Sequence, residues 1–369
     1  MGRIFTPTEN DFGKTDAVII GGGIGGVSAA ARLSELGTVT LLEAEDALAY
    51  HASGRSAALF EENYGKPSTV ALNAASHDFH VAADVLSPRG LMLIGSADNA
   101  DAFAADQARM KLNPLTMAEA LAMVPILNPD VIDRAAYHAE AWDIDTDKLV
   151  QTFARTARAN GGQIVTRAQV TGITRTATGW DVTTKDATYQ ARTLVNAAGA
   201  WVDVIARKAG IAPLGFTPLR RSMARIPAPG GHDVSGWPML FGPGENWYAK
   251  PDAGALIVSP AEEDPVDPHD AYADDMVLAE GLARYEANVT EPVTRLLASW
   301  AGLRTFARDR TLVLGPDKGD AQFIWCAGQG GYGMQSSPGA SQLLADIIAG
   351  RPSALPANMV AALSPARFS

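Results

Sequence analysis

The chain has 369 residues, 47% hydrophobic and 19% charged, an ordinary globular balance with room for two domains that each bury a core. Its formal net charge of −11 argues against nucleic acid as a partner, because phosphate binding is driven by Lys and Arg. The single cysteine, Cys326, excludes an internal disulfide framework and suits a reducing compartment.

No stretch reaches the ~18 consecutive apolar residues that a membrane-spanning helix needs. Residues 1–15 are polar, contain Pro7 and carry no secretory pattern. The expected location is the cytoplasm, with peripheral contact at a membrane left open.

The first apolar run ends in glycines: Asp16-Ala-Val-Ile-Ile-Gly-Gly-Gly-Ile-Gly-Gly26. A small-residue helix and a second apolar run ending in an acid follow, Val39-Thr-Leu-Leu-Glu43. That order builds a nucleotide-binding βαβ unit over residues 16–43. Gly21 permits the tight turn, Gly23 the approach of a pyrophosphate, and Gly26 close helix–strand packing. The phosphates would rest on the helix N-terminus. Glu43 is placed to accept from ribose hydroxyls and disfavours a 2′-phosphate, so FAD or NAD is preferred over NADP.

Beyond this unit, Tyr50–Ala58 reads as a loop entering a helix, 68–86 as helix, and Leu91–Ile94 as a strand after the Pro88–Gly90 turn. Residues 98–111 and 116–124 read as helices, the second capped by Thr116 with Glu119 three residues on. Asp143-Ile-Asp-Thr-Asp147 precedes a helix near 147–160 and reads as its cap, by Asp145 or Thr146, not as a metal site; no metal is expected. Segments 163–170, 172–176, 180–184 and 188–197 are β-type, with a hairpin turn at Thr178-Gly179. The last runs through Asn196-Ala-Ala-Gly-Ala-Trp201 into another helix. Residues 213–260 suit an antiparallel unit, 274–299 a helix, and 302–315 and 322–327 strands. Phe323-Ile-Trp-Cys326 places the cysteine in a buried strand. Gly328-Gln-Gly-Gly-Tyr-Gly-Met-Gln335 is a third glycine loop, entering a final helix near 336–349.

The expected architecture is α/β. A Rossmann-like nucleotide-binding domain, an FAD-binding domain by the resemblance given next, would be assembled from residues 1–60, 146–212 and 302–369. An α+β substrate domain with a mostly antiparallel sheet takes 61–145 and 213–301. A site at their interface is where cofactor and substrate would meet.

At these blocks the chain resembles the FAD-dependent amine oxidoreductases of the D-amino acid oxidase and glycine/sarcosine oxidase type. The blocks are the N-terminal glycine motif, His51-Ala-Ser-Gly-Arg-Ser-Ala-Ala58, Asn196–Trp201 and Gly328–Gly333. Within that family the likeness is greatest to the bacterial D-arginine dehydrogenases. It adds Asp143–Asp147, Arg220-Arg-Ser222, Trp237-Pro-Met-Leu240 and Lys250-Pro-Asp-Ala-Gly254. Ser259-Pro260, Asp264-Pro-Val266 and Trp300-Ala-Gly-Leu-Arg-Thr-Phe306 complete it.

The resemblance implies non-covalent FAD lying across the glycine loops. Its cofactor residues would be Gly21, Gly23, Ile24, Gly26, Glu43, Ala44, Ser53, Arg55, Ser56, Ala57 and Val170. Ala198, Gly199 and Trp201 would sit near the group, and Gly328, Gly330, Gly331, Tyr332, Gly333, Met334 and Gln335 would approach its ring. Backbone N–H groups there would stabilise the reduced ring's negative charge. On the substrate side, Arg221 and Arg304 would clamp an α-carboxylate, which the planar guanidinium fork suits. Tyr248 would donate its phenol, Tyr64 would close the near side, and the Gly331 carbonyl would meet the substrate amine. Arg220 would face the opposite side of its strand. The reaction implied is oxidative deamination of a D-amino acid: hydride leaves Cα for the flavin, and the imine hydrolyses to a 2-oxo acid and ammonia.

The pocket departs from the D-arginine enzymes. Their guanidinium-binding glutamate is matched here by Leu91, their pocket histidine by Leu59 and a neighbouring threonine by Glu61; Phe241 adds apolar bulk and Met239 is kept. Burying a cation beside leucine is costly, so an apolar or neutral side chain is expected. Glu61 could instead recover a cation, or be an exposed loop carboxylate. Two other readings stand beside this one. They are a secondary or N-methyl amine oxidase on sarcosine-like or proline-like substrates, and an FAD-binding subunit without catalysis of its own. The electron acceptor would be a quinone or oxygen.

Overall fold

The computed structural model describes residues 14–368; the segment 1–13, with Pro7, lies outside them. Two large sheets organise the chain. In the first, of eight strands, Lys14–Ile20 lies between Val39–Leu42 and Thr188–Asn196, parallel to both. Thr188–Asn196 pairs in parallel with Phe323–Ala327. Ala17–Ile20, Val39–Leu42 and Phe323–Ala327 are near-continuous apolar runs because both faces of the sheet are covered, whereas Thr188–Asn196 is continuously buried only from Thr193 on. Ile24–Leu33, Thr146–Ala159 and Gly333–Ile348 bury their apolar stripes on one face, with Val27, Leu33, Leu149, Phe153 and Leu344 in a common core. Val18, Trp180, Leu194 and Trp325 fill the other.

The second sheet has nine strands and is antiparallel except where Met239–Phe241 runs parallel to Leu91–Gly95. Its longest pairing is Thr217–Pro227 with Ala298–Phe306. The fold class is therefore as expected, a mixed parallel sheet beside a mostly antiparallel one. A small third sheet joins Leu59–Glu61, Ala141–Ile144 and Leu86–Pro88. Among the described residues no helix is long and apolar enough to cross a membrane.

Several local expectations need correction. Tyr50–Ala58 is a loop, but it leads into the strand Leu59–Glu61, not a helix. The expected helix over 68–86 is two helices, Pro67–Ala74 and His77–Ala82, before the strand Leu86–Pro88. Ser76 sits at the break: its hydroxyl donates back to Leu72 O at 2.6 Å and accepts the Gly339 N–H at 2.9 Å. The helix expected to 299 stops at Glu286, whose carboxylate takes the Val293 N–H at 2.6 Å; Pro292 bars its continuation. The strand expected over 302–315 is two, Ala298–Phe306 and Val313–Pro316, separated by a turn with Arg310 at φ +61°. The last helix starts earlier, at Gly333. The strands Arg134–His138 and Ala141–Ile144 carry no clear period-2 signal and were not expected.

The caps follow local chemistry. Thr116 and Glu119 form a reciprocal capping box. Asp145, not Thr146, caps the next helix by accepting the Lys148 N–H at 2.9 Å. Asp143 is held by Lys250 at 2.9 Å and by Arg89 at 2.6 Å, so two acids of that cluster have structural roles.

Candidate functional site

Gly21 turns the chain at φ +109°, and a Cβ on Gly26 would come within 1.8 Å of Gly21 O. Both glycines are thus demanded by the strand–helix junction. The Gly22 N–H donates to Glu43 Oε2 at 2.5 Å, and Glu45 N–H to Glu43 Oε1 at 2.8 Å. Glu43 is therefore fixed by two backbone donors at the end of its strand. Ser53 Oγ accepts the Ile24 N–H at 2.9 Å, tying the His51–Ala58 loop to the helix start.

These residues border a cavity of about 330 Å3, walled by Gly21, Gly23, Glu43, Ala44, Ser53, Arg55, Val170, Ala198, Gly199 and Trp201. His51 packs on Trp201 with ring centroids 4.7 Å apart and lies 2.9 Å from Glu45. Arg55 pairs with Asp270 at 2.5 Å and donates to the carbonyls of Ala271 and Ala301. It thereby pins the loop to the second sheet.

A second cavity, of about 170 Å3, shares Ala52, Ser53, Arg55 and Gly302 with the first, so the two form one trench. One wall is Ile24, Ser56, Ala57, Gly330, Gly331, Gly333 and Met334. The cavity's lining also includes Arg221, Arg304, Tyr248, Tyr64, Leu59, Glu61, Leu91, Met239 and Phe241. Four predicted residues line neither cavity. Gly26 packs helix on strand. Gly328, at φ +72°, turns the chain beside Phe216. Tyr332 packs on Tyr64 at 5.1 Å. Gln335 is buried, and its Oε1 accepts the Glu61 N–H at 3.0 Å, so its contact is with the strand that carries Glu61.

The two arginines differ. Arg221 is 3% exposed; its Nε donates to Glu262 O at 3.0 Å and its Nη2 lies 3.4 Å from Glu263. Its Nη1 is buried without a hydrogen-bond partner. Arg304 has no hydrogen bond or ion pair with protein among the described residues, and a Cβ on Gly331 would come within 2.6 Å of its Nη2. Burial opposes its charge, but Tyr64, Tyr248, Glu245 and Tyr332 outweigh that and hold its pKa above the usual guanidinium value. Arg220 points to the other face and pairs with Asp264 at 2.7 Å, a structural role.

Tyr248 donates weakly to Met223 Sδ at 3.3 Å. Tyr64 donates to Glu245 Oε1 at 2.6 Å. Burial and the adjacent Glu245 carboxylate push the Tyr64 phenol well above its usual pKa, so it stays protonated. Glu245 sits at φ +54° in a turn held by Asp106, which accepts the Gly244 N–H at 2.6 Å.

Glu61 is not an exposed loop carboxylate. It ends a strand, is 3% exposed, and its Oε2 lies 2.6 Å from His138 Nε2. The remaining lining is apolar: Leu59, Leu91, Met110, Met223, Met239 and Phe241. Cys326 is buried, its thiol pushed up to about 12 by burial.

Sequence reasoning missed Glu245, His138, Glu263, Met110 and Met223. Each is a single side chain with no motif around it. Only the positive φ of Glu245 marks it out, and that is invisible in sequence.

The site fits a dinucleotide: a glycine turn without Cβ atoms, an adjacent fixed carboxylate, and a second cavity that adjoins the first. Residues 16–347 match the family described as DAO, FAD dependent oxidoreductase. Human mitochondrial sarcosine dehydrogenase is 26% identical over 225 residues, 53% of this chain, and the chain covers only 24% of that protein's length. L-Proline dehydrogenase from P. horikoshii shares the fold with a TM-score of 0.83 at 20% identity, covering 96% of this chain and 98% of that one. Glycine oxidase from Geobacillus kaustophilus gives 0.79 at 21% identity, covering 95% and 98%. The chain belongs to the DAO family of FAD-dependent oxidoreductases, and its cofactor is FAD.

Proposed function

We propose that the protein oxidises an α-amino acid of D configuration with an apolar or neutral side chain. The product is a 2-imino acid, which water converts to a 2-oxo acid and ammonia. The observation that carries this is Arg304, a cation on the cavity wall without a protein acceptor, beside the unpartnered Nη1 of Arg221. Such an arrangement is complementary to a carboxylate. Glu245, on the same cavity, offers a negative counterpart for an ammonium group. A cavity that sets Arg304, without an acceptor among the described residues, and the Glu245 carboxylate on its lining suits a zwitterion.

FAD, when bound, supplies the two-electron oxidant. In this reading Arg304 and Arg221 hold the carboxylate, Tyr248 donates to it, and the Gly331 carbonyl accepts from the amine. Tyr64 donates its hydroxyl hydrogen bond to Glu245, which leaves its oxygen lone pairs to receive an amine N–H. The apolar wall of Leu59, Leu91, Met239 and Phe241 takes the side chain and keeps water from the reacting centre. In this reading the FAD unit takes 1–60, 146–212 and 302–369, of which 1–13 lie outside the described residues, and the substrate unit takes 61–145 and 213–301; the 301/302 boundary falls within Ala298–Phe306, a strand of the second sheet.

The D configuration rests on the resemblance of the sequence blocks to D-arginine dehydrogenases. The similarity to sarcosine dehydrogenase favours a second reading, a secondary or N-methyl amine substrate. Anaerobic flavin bleaching with D- and L-Leu, Met, Phe, Lys and Arg, with sarcosine and proline alongside, separates these. Fast bleaching by neutral D-amino acids is expected. Fast bleaching by D-Arg alone would overturn the apolar-pocket assignment. Formaldehyde from sarcosine would support the second reading, and no bleaching by any amine would mark a non-catalytic subunit. Reoxidation by oxygen against a quinone then assigns the acceptor.

A further inference from the structure

Across the second sheet, Met239, Leu91 and His138 form one row. Met239 is opposite Leu91, and Leu91 is opposite His138. Directly opposed residues share a face. Because Met239 and Leu91 line the cavity, His138 continues that wall one strand further. There it meets Glu61, which comes from the small third sheet and lines the cavity itself.

Both side chains of this contact are 4% exposed. His138 Nε2 approaches Glu61 Oε2 at 2.6 Å, and among the described residues neither atom has another hydrogen-bond partner. Glu61 Oε1 is separately occupied by the Asn63 N–H at 2.9 Å. The carboxylate therefore presents one oxygen whose sole counter-charge is the imidazole.

We propose that His138 determines the charge class of the substrate: as the counter-ion of Glu61, it closes the far wall of the cavity to cationic side chains. With His138 charged, the pair is neutral and the wall of Met239 and Leu91 accepts apolar groups. Without that charge, Glu61 is a buried anion facing the cavity, and a substrate ammonium or guanidinium is the natural partner to replace the one lost. The charged groups against the His138 ring are Glu61 and, 3.4 Å from Nδ1, Glu140; Leu91 brings none. Burial disfavours the imidazolium, but Glu61 and Glu140 outweigh it and raise its pKa.

This inference deepens the amino acid reading and rests on it for the carboxylate anchor. The test uses holoenzyme and two unreactive acids, hexanoate and 6-aminohexanoate, titrated by flavin absorbance at pH 7 and pH 9. The same comparison is made by anaerobic reduction with D-Leu and D-Lys. In His138→Gln the cationic-to-neutral affinity ratio should rise at least tenfold at pH 7, and Glu61→Gln/His138→Gln should return it to the parental value. His138→Asn serves if the glutamine variant does not fold. A ratio unchanged within twofold in the single variant at both pH values overturns the proposal, as does a rise that survives in the double variant. Failure of every amino acid to reduce the flavin would defeat the amino acid reading, while the binding ratio still decides the role of His138.

Discussion

Arg221 and Arg304 are diagonal neighbours on one face of an antiparallel strand pair. Arg221 lies across from Gly302, and Arg304 across from Leu219. Gly302 borders both cavities, so the strand pair that carries the two cations reaches the place where the cavities adjoin. Only one is already committed to protein: Glu263 and the Glu262 carbonyl hold Arg221, while Arg304 has neither.

That asymmetry predicts unequal losses. Arg304→Met should lower kcat/KM by about 1,000-fold, as removal of a two-point charged contact worth ~4 kcal/mol implies. Arg221→Met, which removes one free donor, should cost about tenfold, or ~1.5 kcal/mol. Flavin absorbance should be parental in both. Steady-state kinetics on the best amino acid check this, and a larger loss for Arg221 reverses the assignment.

Tyr64 and Glu245 make a pH prediction. The folded phenol is held protonated by burial and by Glu245, above its ordinary value of 10.0. Its contribution to stability is complete below pH 10. The contribution erodes as pH rises further, because the unfolded chain releases the proton first. Urea denaturation at pH 9 and pH 11 should show a smaller alkaline loss in Tyr64→Phe than in the parent. Equal losses would show that the phenol is not protected.

His80 works in the opposite direction. It is fully buried, with Nε2 2.9 Å from Gln335 O, and burial lowers its pKa from 6.5 to about 4. Its contribution is present above 6.5 and is lost as pH falls towards 4, since the unfolded chain binds the proton first. Between pH 7 and pH 5 that amounts to about 2 kcal/mol. His80→Phe should flatten the acid limb of the stability profile by about that amount, measured by chemical denaturation at the two pH values.

Gly26→Ala should abolish flavin retention. The added methyl would stand 1.8 Å from Gly21 O, a backbone atom that cannot move without opening the turn. Purified variant without the yellow absorbance, or no folded protein, is expected. A fully loaded variant would contradict the close-packing role.

The sequence carried the cofactor half of the molecule nearly complete. The run from Asp16 to Gly26 and the acid at Glu43 form a local device: a φ of +109° at Gly21 and a missing Cβ at Gly26 are requirements that residue type alone expresses. The same is true of the Thr116–Glu119 box and of the buried strand around Cys326. Arg221, Arg304, Tyr248 and the apolar residues were readable only as members of blocks resembling a family, because nothing near them in the chain tells what they face. Strand register decided which groups meet. It set Arg304 diagonal to Arg221, and it put His138 in line with Leu91 and Met239. Folding then brought Glu245 onto Tyr64 and turned Glu61 from a plausible surface acid into a buried anion with a partner. Periodicity and turn chemistry act over a few residues and are written in the chain. The pairing of charges far apart in sequence depends on long-range register and burial, which only the folded structure supplies.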